Sequence, residues 1–322
     1  MAVAQPSFAT IRLVNRLAVP CILDAVMVGR LDRDFLDALI LLAVVQANVA
    51  PISRDPDLNR AYGGYDEPPP DELRRPVSIN AVAHSLRLPY ETVRRRIVRM
   101  ARAGACDLGD QGVIVPAREL ASPQHLAAMM AIWEQIRRLY CRLRDLGLLD
   151  DMIPAEDRER WAANAAEPPL RAVMRVASDY MLRLVENVTL RFDSLIAGVV
   201  WFAILRANTE QLPESEYGAA GEAAQDFVDD ARRRPVRISA LAQRLGAPPE
   251  TVRRYAAELV AAGLCLRTRQ GFLVPAEVLS RPNAVKIMRD NFRDLQRMFA
   301  AFAQLGVLAE WDRLTPPLRG AA

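Results

Sequence analysis

Pro89-Tyr90-Glu91-Thr92-Val93-Arg94-Arg95 returns 159 residues later as Pro248-Pro249-Glu250-Thr251-Val252-Arg253-Arg254. Working outward, Pro76–Pro123 overlies Pro235–Pro282 without a gap, and 22 of these 48 positions are identical. Shared residues include Val77/Val236, Ile79/Ile238, Ala83/Ala242, Leu86/Leu245, Gly104/Gly263, Cys106/Cys265 and Gly112/Gly271. The likeness persists more weakly on both sides, where Ala47-Asn48 matches Ala207-Asn208 and Leu146-Gly147 matches Leu305-Gly306. A period this long, present only twice, points to two like units and not to a solenoid. The expected units are 1–160, with a compact core at 75–118 and a long helix at 123–149, and 161–322, with its core at 234–277 and long helix at 282–309.

Each core reads as helix, turn, helix, hairpin. In the first copy Ser78 suits an N-cap, and Ile79, Val82, Ala83 and Leu86 recur at helical spacing. Pro89 suits the start of a second helix, Glu91 its first turn, and Val93, Ile97 and Met100 its buried face. Gly246 stands at the corner between the two helices of the second copy, where the first copy has Arg87. Short apolar runs around Gly109-Asp110-Gln111-Gly112 and Thr268-Arg269-Gln270-Gly271 then signal β-hairpins. Upstream, Pro51–Arg75 and Glu210–Arg234 read as polar connectors rich in Pro, Gly and acids.

Helix, turn, helix and hairpin is the order of a winged helix-turn-helix. Pro249-Glu250-Thr251-Val252-Arg253-Arg254, followed by Ala262-Gly263-Leu264, resembles the winged-helix cores of the IclR and MarR groups of bacterial transcription regulators. The fold class implied is mainly α with small β-hairpin wings, two winged helix-turn-helix domains arising by internal duplication. The resemblance also implies double-stranded DNA as partner, with the second helix in the major groove and the wing along the backbone or minor groove. It assigns Arg94, Arg95, Arg253 and Arg254 to base edges or phosphates, and Thr92 and Thr251 to phosphates. Tyr90 and Arg99, on the outer side of the first copy's helix, and Arg267 and Arg269, at the second copy's wing tip, complete the expected DNA-binding set. The copies differ: one pairs a basic helix with an acidic hairpin (Asp107, Asp110), the other a leaner helix with a basic wing.

The rest of the chain narrows the alternatives. Its 322 residues are 51% hydrophobic and 25% charged, with a formal net charge of +3. Of 42 basic residues only Lys286 is a lysine. Arginine is the better fork for phosphates and guanine edges. A GC-rich genome, however, favours Arg and Ala codons together and accounts for the bulk composition, so where the arginines sit matters more than their number. Four cysteines (Cys21, Cys106, Cys141, Cys265) form no CxxC, so neither a zinc site nor a disulfide framework is expected, and a reducing cytoplasm fits. No secretory leader is read at the N-terminus. The apolar runs Phe35–Ala47 and Leu195–Leu205 are shorter than the roughly 18–20 residues of a membrane span and read as buried helices. Without a phosphate loop or metal spacing, and with only His84 and His125, neither an enzyme nor a cofactor is expected.

Met129, Ile132, Trp133, Ile136, Leu139, Tyr140, Leu143 and Leu146 form a helical stripe that Met288, Phe292, Leu295, Met298, Phe299, Phe302 and Leu305 repeat. These stripes are expected to form core or a helix pair, making either a homodimer or an intrachain pseudo-dimer. The leading function is a transcription regulator. Two others stay open: a plasmid-type replication initiator, and a winged-helix module that binds proteins and not DNA.

Overall fold

The computed structural model describes residues 6–65, 67–154, 156, 169–192, 194–213 and 227–315. They are mainly helical, with two small antiparallel two-stranded sheets. In the first half α1 spans Phe8–Gly29, α2 Phe35–Arg54, α3 Pro56–Ala61, α4 Ile79–Leu86 and α5 Tyr90–Arg102. The hairpin β1 (Asp107–Gly109) and β2 (Gly112–Ile114) follows, then α6 (Ala117–Leu120) and α7 (Pro123–Asp145). In the second half the corresponding elements are α8 (Leu170–Thr189), α9 (Leu195–Thr209), α10 (Ile238–Leu245) and α11 (Pro249–Ala261). After them come β3 (Leu266–Arg267), β4 (Phe272–Leu273), α12 (Ala276–Ser280), α13 (Pro282–Gln304) and α14 (Val307–Leu314).

Two expectations from the sequence are corrected. The stretch from Pro51 is not connector from its start: α2 runs on to Arg54 and α3 follows. Apolar spacing carries through Val44, Val49 and Ile52, all buried, and Pro51 is tolerated inside the helix. At 20 residues α2 is therefore long and apolar enough to cross a membrane by length and composition, but here it is a core helix. The long helices also end early, at Asp145 and Gln304, because Gly147 (φ 68°) and Gly306 (φ 75°) turn the chain in the left-handed region. Most of the connector before α10 lies outside the described residues.

The two cores share their local devices. Ser78 Oγ accepts the Ala81 amide at 3.2 Å and caps α4. The corner after α4 is made by Arg87 at φ 52°, ψ 37°, and that after α10 by Gly246 at φ 53°, ψ 38°. The geometry is the same although only glycine adopts it without steric cost. Arg87 is met there by Glu186, 3.7 Å away. In each hairpin the returning strand also bridges a residue before the helix pair, Val77 to Val113 and Val236 to Phe272. A Cβ on Gly112 or Gly271 would collide with the carbonyl oxygen of that bridging valine, so both turns require glycine.

A buried asparagine clasps each hairpin to the apolar helix before it. Asn48 donates to the carbonyls of Arg75 (2.8 Å) and Val113 (3.1 Å) and accepts the Val115 amide (3.0 Å). Asn208 repeats this with Arg234 (2.8 Å), Phe272 (3.0 Å) and Val274 (2.9 Å). Beside them the buried Arg74 and Arg233 donate to the carbonyls of Val115 and Val274. Asp71 and Asp230 accept the amides of Ala117 (2.8 Å) and Ala276 (2.7 Å). Every partner thus lies about 159 residues from its counterpart.

The halves interleave. The arm helix α1 packs on α7 of its own half, and also on α9 and α13 of the other; α8 packs on α13, and on α2 and α7. One apolar core joins α2, α5, α9, α11 and both hairpins, and a second gathers α1, α7, α8, α13 and α14. In the second, Tyr140 of α7 lies against Phe299 of α13 (ring centroids 6.1 Å), and Trp133 meets Trp311 edge to face at 5.3 Å. A buried polar string fixes the register: Tyr180 donates to Asn291 (2.8 Å), Asn291 to Asn15 (2.9 Å), and Asn15 to the Met288 carbonyl (2.9 Å). Left partly satisfied, such a string would cost more than an apolar contact; satisfied, it selects one alignment of the helices.

Candidate nucleic-acid interface

On α5 the core takes Val93, Ile97 and Met100, and the helix turns Tyr90, Arg94 and Arg95 outward at its first turns. Arg95 is 70% exposed. Arg94 forks onto Glu91, with both N–H···O distances 2.8 Å, and Arg95 Nε donates to the Glu91 carbonyl at 3.3 Å. The hydrogen bond from Arg94 holds the Glu91 carboxyl below the usual carboxylate range. Glu91 therefore presets the Arg94 fork while cancelling part of its charge. Thr92 is half-buried in the same turn.

The remaining arginines of α5 are drawn elsewhere. Arg96 reaches Asp34 (2.6 Å) and Asp37 (2.7 Å), the N-cap and first turn of α2. Arg99 also donates to Asp37, itself buried, so of the expected set it is the one tied to the scaffold. Arg102 is exposed at the end of the helix. Sequence reasoning missed the two aspartates because they lie about 60 positions upstream of α5.

The second copy lacks this tether. Tyr255 and Glu258 stand where the first copy has Arg96 and Arg99, and Ser194 and Ala197 where it has Asp34 and Asp37. Arg253 pairs with Glu250, repeating the Arg94–Glu91 contact. Arg254 lies over the Tyr255 ring, 4.7 Å from its centroid, and 3.9 Å from Glu258. Thr251 is again half-buried. Two arginines face two glutamates, so α11 carries no net charge, whereas the exposed Arg267 and Arg269 make its hairpin cationic. In the first copy Asp107 is held by Arg118 at 2.7 Å, which relieves the acidity of that hairpin.

The structure thus groups Tyr90, Thr92, Arg94 and Arg95 on one exposed turn and Thr251, Arg253 and Arg254 on its counterpart, with Arg267 and Arg269 on a separate hairpin. One further cation went unread in the sequence. The exposed Arg237 occupies the start of α10, where the first copy uses Ser78 as a cap. Forgoing a cap worth about 1 kcal/mol for a cation is the signal that singles it out. Comparison of the chain with family models, with curated proteins and with solved structures gives no match.

Proposed function

We propose that each helix pair with its hairpin is a winged helix-turn-helix, and that the chain binds double-stranded DNA as a transcription regulator. The observation that carries this reading is the matched arginine pair. Arg94-Arg95 and Arg253-Arg254 sit outward at the first turns of α5 and α11, although from Arg96 and Tyr255 onward these helices share no residue. Base-reading residues belong at that end of such a helix. The halves, tied by the exchanged arms α1 and α8, act as an intrachain pseudo-dimer with unequal readers: a basic helix in one and a cationic wing in the other.

The test uses duplexes selected from a random pool by the full chain, with affinity read by fluorescence anisotropy across a salt series. Arg94→Ala with Arg95→Ala, and separately Arg253→Ala with Arg254→Ala, each lowers affinity about tenfold or more and reduces the salt slope by about 2. Unchanged affinity in both double variants overturns the reading. It would favour a protein-binding module, for which the charge balance of α11 and the exposed Leu108 and Leu266 on the hairpins speak.

A further inference from the structure

Two arginines recur in helices that have otherwise drifted apart. Overlaid at the same offset of 159, α1 and α8 keep Arg12/Arg171, Val14/Val173, Arg16/Arg175, Ala18/Ala177, Leu23/Leu182 and Val26/Val185. Each arginine pair serves a cavity in the opposite half. Arg171 and Arg175 line one of about 370 Å³ walled by α2 and α7. Arg12 and Arg16 line its larger counterpart, about 1000 Å³, walled by α9 and α13.

The smaller cavity joins an apolar wall to a cationic one. Leu42, Val45, Met129, Ile132 and Met174 supply the first, and Arg33, Arg171 and Arg175 the second. Among the described residues that line it the one carboxylate is Glu119, 3.5 Å from Arg33. Arg175 is buried, and its hydrogen-bond acceptors are all neutral: the carbonyls of Tyr62 (3.0 Å) and Asn59 (3.2 Å) and the Asn59 amide oxygen (2.8 Å). Its Nε is buried without an acceptor. Burial and the charge of Arg171 lower Arg175 to about 10. Burial, then Arg171 and Arg33, push His125, on the same lining, down to about 4. Burial is the larger cause in both groups, and Arg171 adds positive charge beside each of them inside a largely apolar space. A buried cation held only by neutral dipoles destabilises the fold, and an anion entering beside it relieves that cost.

We infer that this cavity binds a small organic carboxylate, its head group drawn to Arg175 and its apolar body against α2, α7 and Met174. The volume lies in the range of small-molecule sites, and an apolar lining with a few convergent polar groups is their usual form. The site is independent of DNA binding, so either proposal can fail without the other.

Calorimetric titration of the full chain with 1-naphthoate and with the uncharged 1-naphthamide tests it. The carboxylate binds saturably at a Kd below about 1 mM, and the amide at least about tenfold more weakly. Arg175→Gln removes one 1-naphthoate binding event. Should that variant fold poorly by circular dichroism, Val45→Trp fills the cavity with both arginines in place and removes the same event. Absence of naphthoate binding up to about 5 mM, equal affinity for acid and amide, or a number of naphthoate binding events unchanged by Val45→Trp overturns the inference.

Discussion

Replacing Asn48 by alanine removes the clasp between α2 and the first hairpin, and its cost can be worked from the partners left behind. Three side-chain hydrogen bonds disappear. The Val113 carbonyl still accepts the Val77 amide at 3.0 Å, so it is not stranded. The Val115 amide is stranded: the residue is buried and its acceptor was the Asn48 oxygen. Two bonds lost at about 1 kcal/mol each, plus a buried orphan donor at about 1–3 kcal/mol, give a loss of about 3–5 kcal/mol. That is well above the roughly 1 kcal/mol of an ordinary substitution. Urea unfolding followed by far-UV circular dichroism measures it, with Asn208→Ala as the internal control expected to agree within about 1 kcal/mol, as matched geometry requires. Asn48→Asp should be worse than alanine, because an oxygen then faces the carbonyls of Arg75 and Val113 where an amide donated. A loss below about 1 kcal/mol in both alanine variants would refute the reasoning and make the asparagines mere space-fillers.

Other expectations follow from single observations. Arg87→Gly should stabilise the fold by about 0.5 kcal/mol: relief of a left-handed residue (roughly 1–2 kcal/mol) is offset by a more flexible unfolded chain and the exposed Glu186 pair; a lower thermal midpoint would contradict this. His125 is held neutral, near 4, by burial and by Arg171 and Arg33. Since its unfolded value is about 6.5, the unfolded chain binds the extra proton between the two, and stability falls as pH drops through that window, by at most about 1.4 kcal/mol per pH unit. His125→Gln should flatten this slope, which denaturant titrations at several pH values would show. Asp37→Asn should release Arg99 from α2 and leave Arg96 held by Asp34 alone, lowering stability by about 1–3 kcal/mol while raising affinity for non-specific duplex DNA; unchanged DNA affinity with reduced stability would confine Arg99 to a scaffold role.

What could be read from the sequence was what is local. The helix pairs, the Ser78 cap, the glycines of the hairpins and the long apolar stripes depend on neighbours within a few residues, and spacing reveals them. Pro51 misled because a proline looks like a breaker until the burial of Ile52, one position on, is known. The asparagines were visible as a matched pair, but their partners lie 26 to 67 positions away, beyond any periodicity. Arg99 fell among outward residues on a helical wheel, and only the approach of Asp37 from α2 gives it a second task. The arm helices escaped the repeat search because packing against the opposite half preserves few residues besides their arginines.

The crossing of α1 and α8 bears on how the chain meets its surroundings. Two copies of a half-length protein exchanging such arms would have to find each other in solution, and their assembly would weaken on dilution. Within one chain the encounter is intramolecular, so the spacing of the two exposed helices is set at synthesis and is independent of abundance. If the chain acts as the intrachain pseudo-dimer proposed above, occupancy of its target rises with the first power of protein concentration, a graded response where a reversible dimer gives a steeper one.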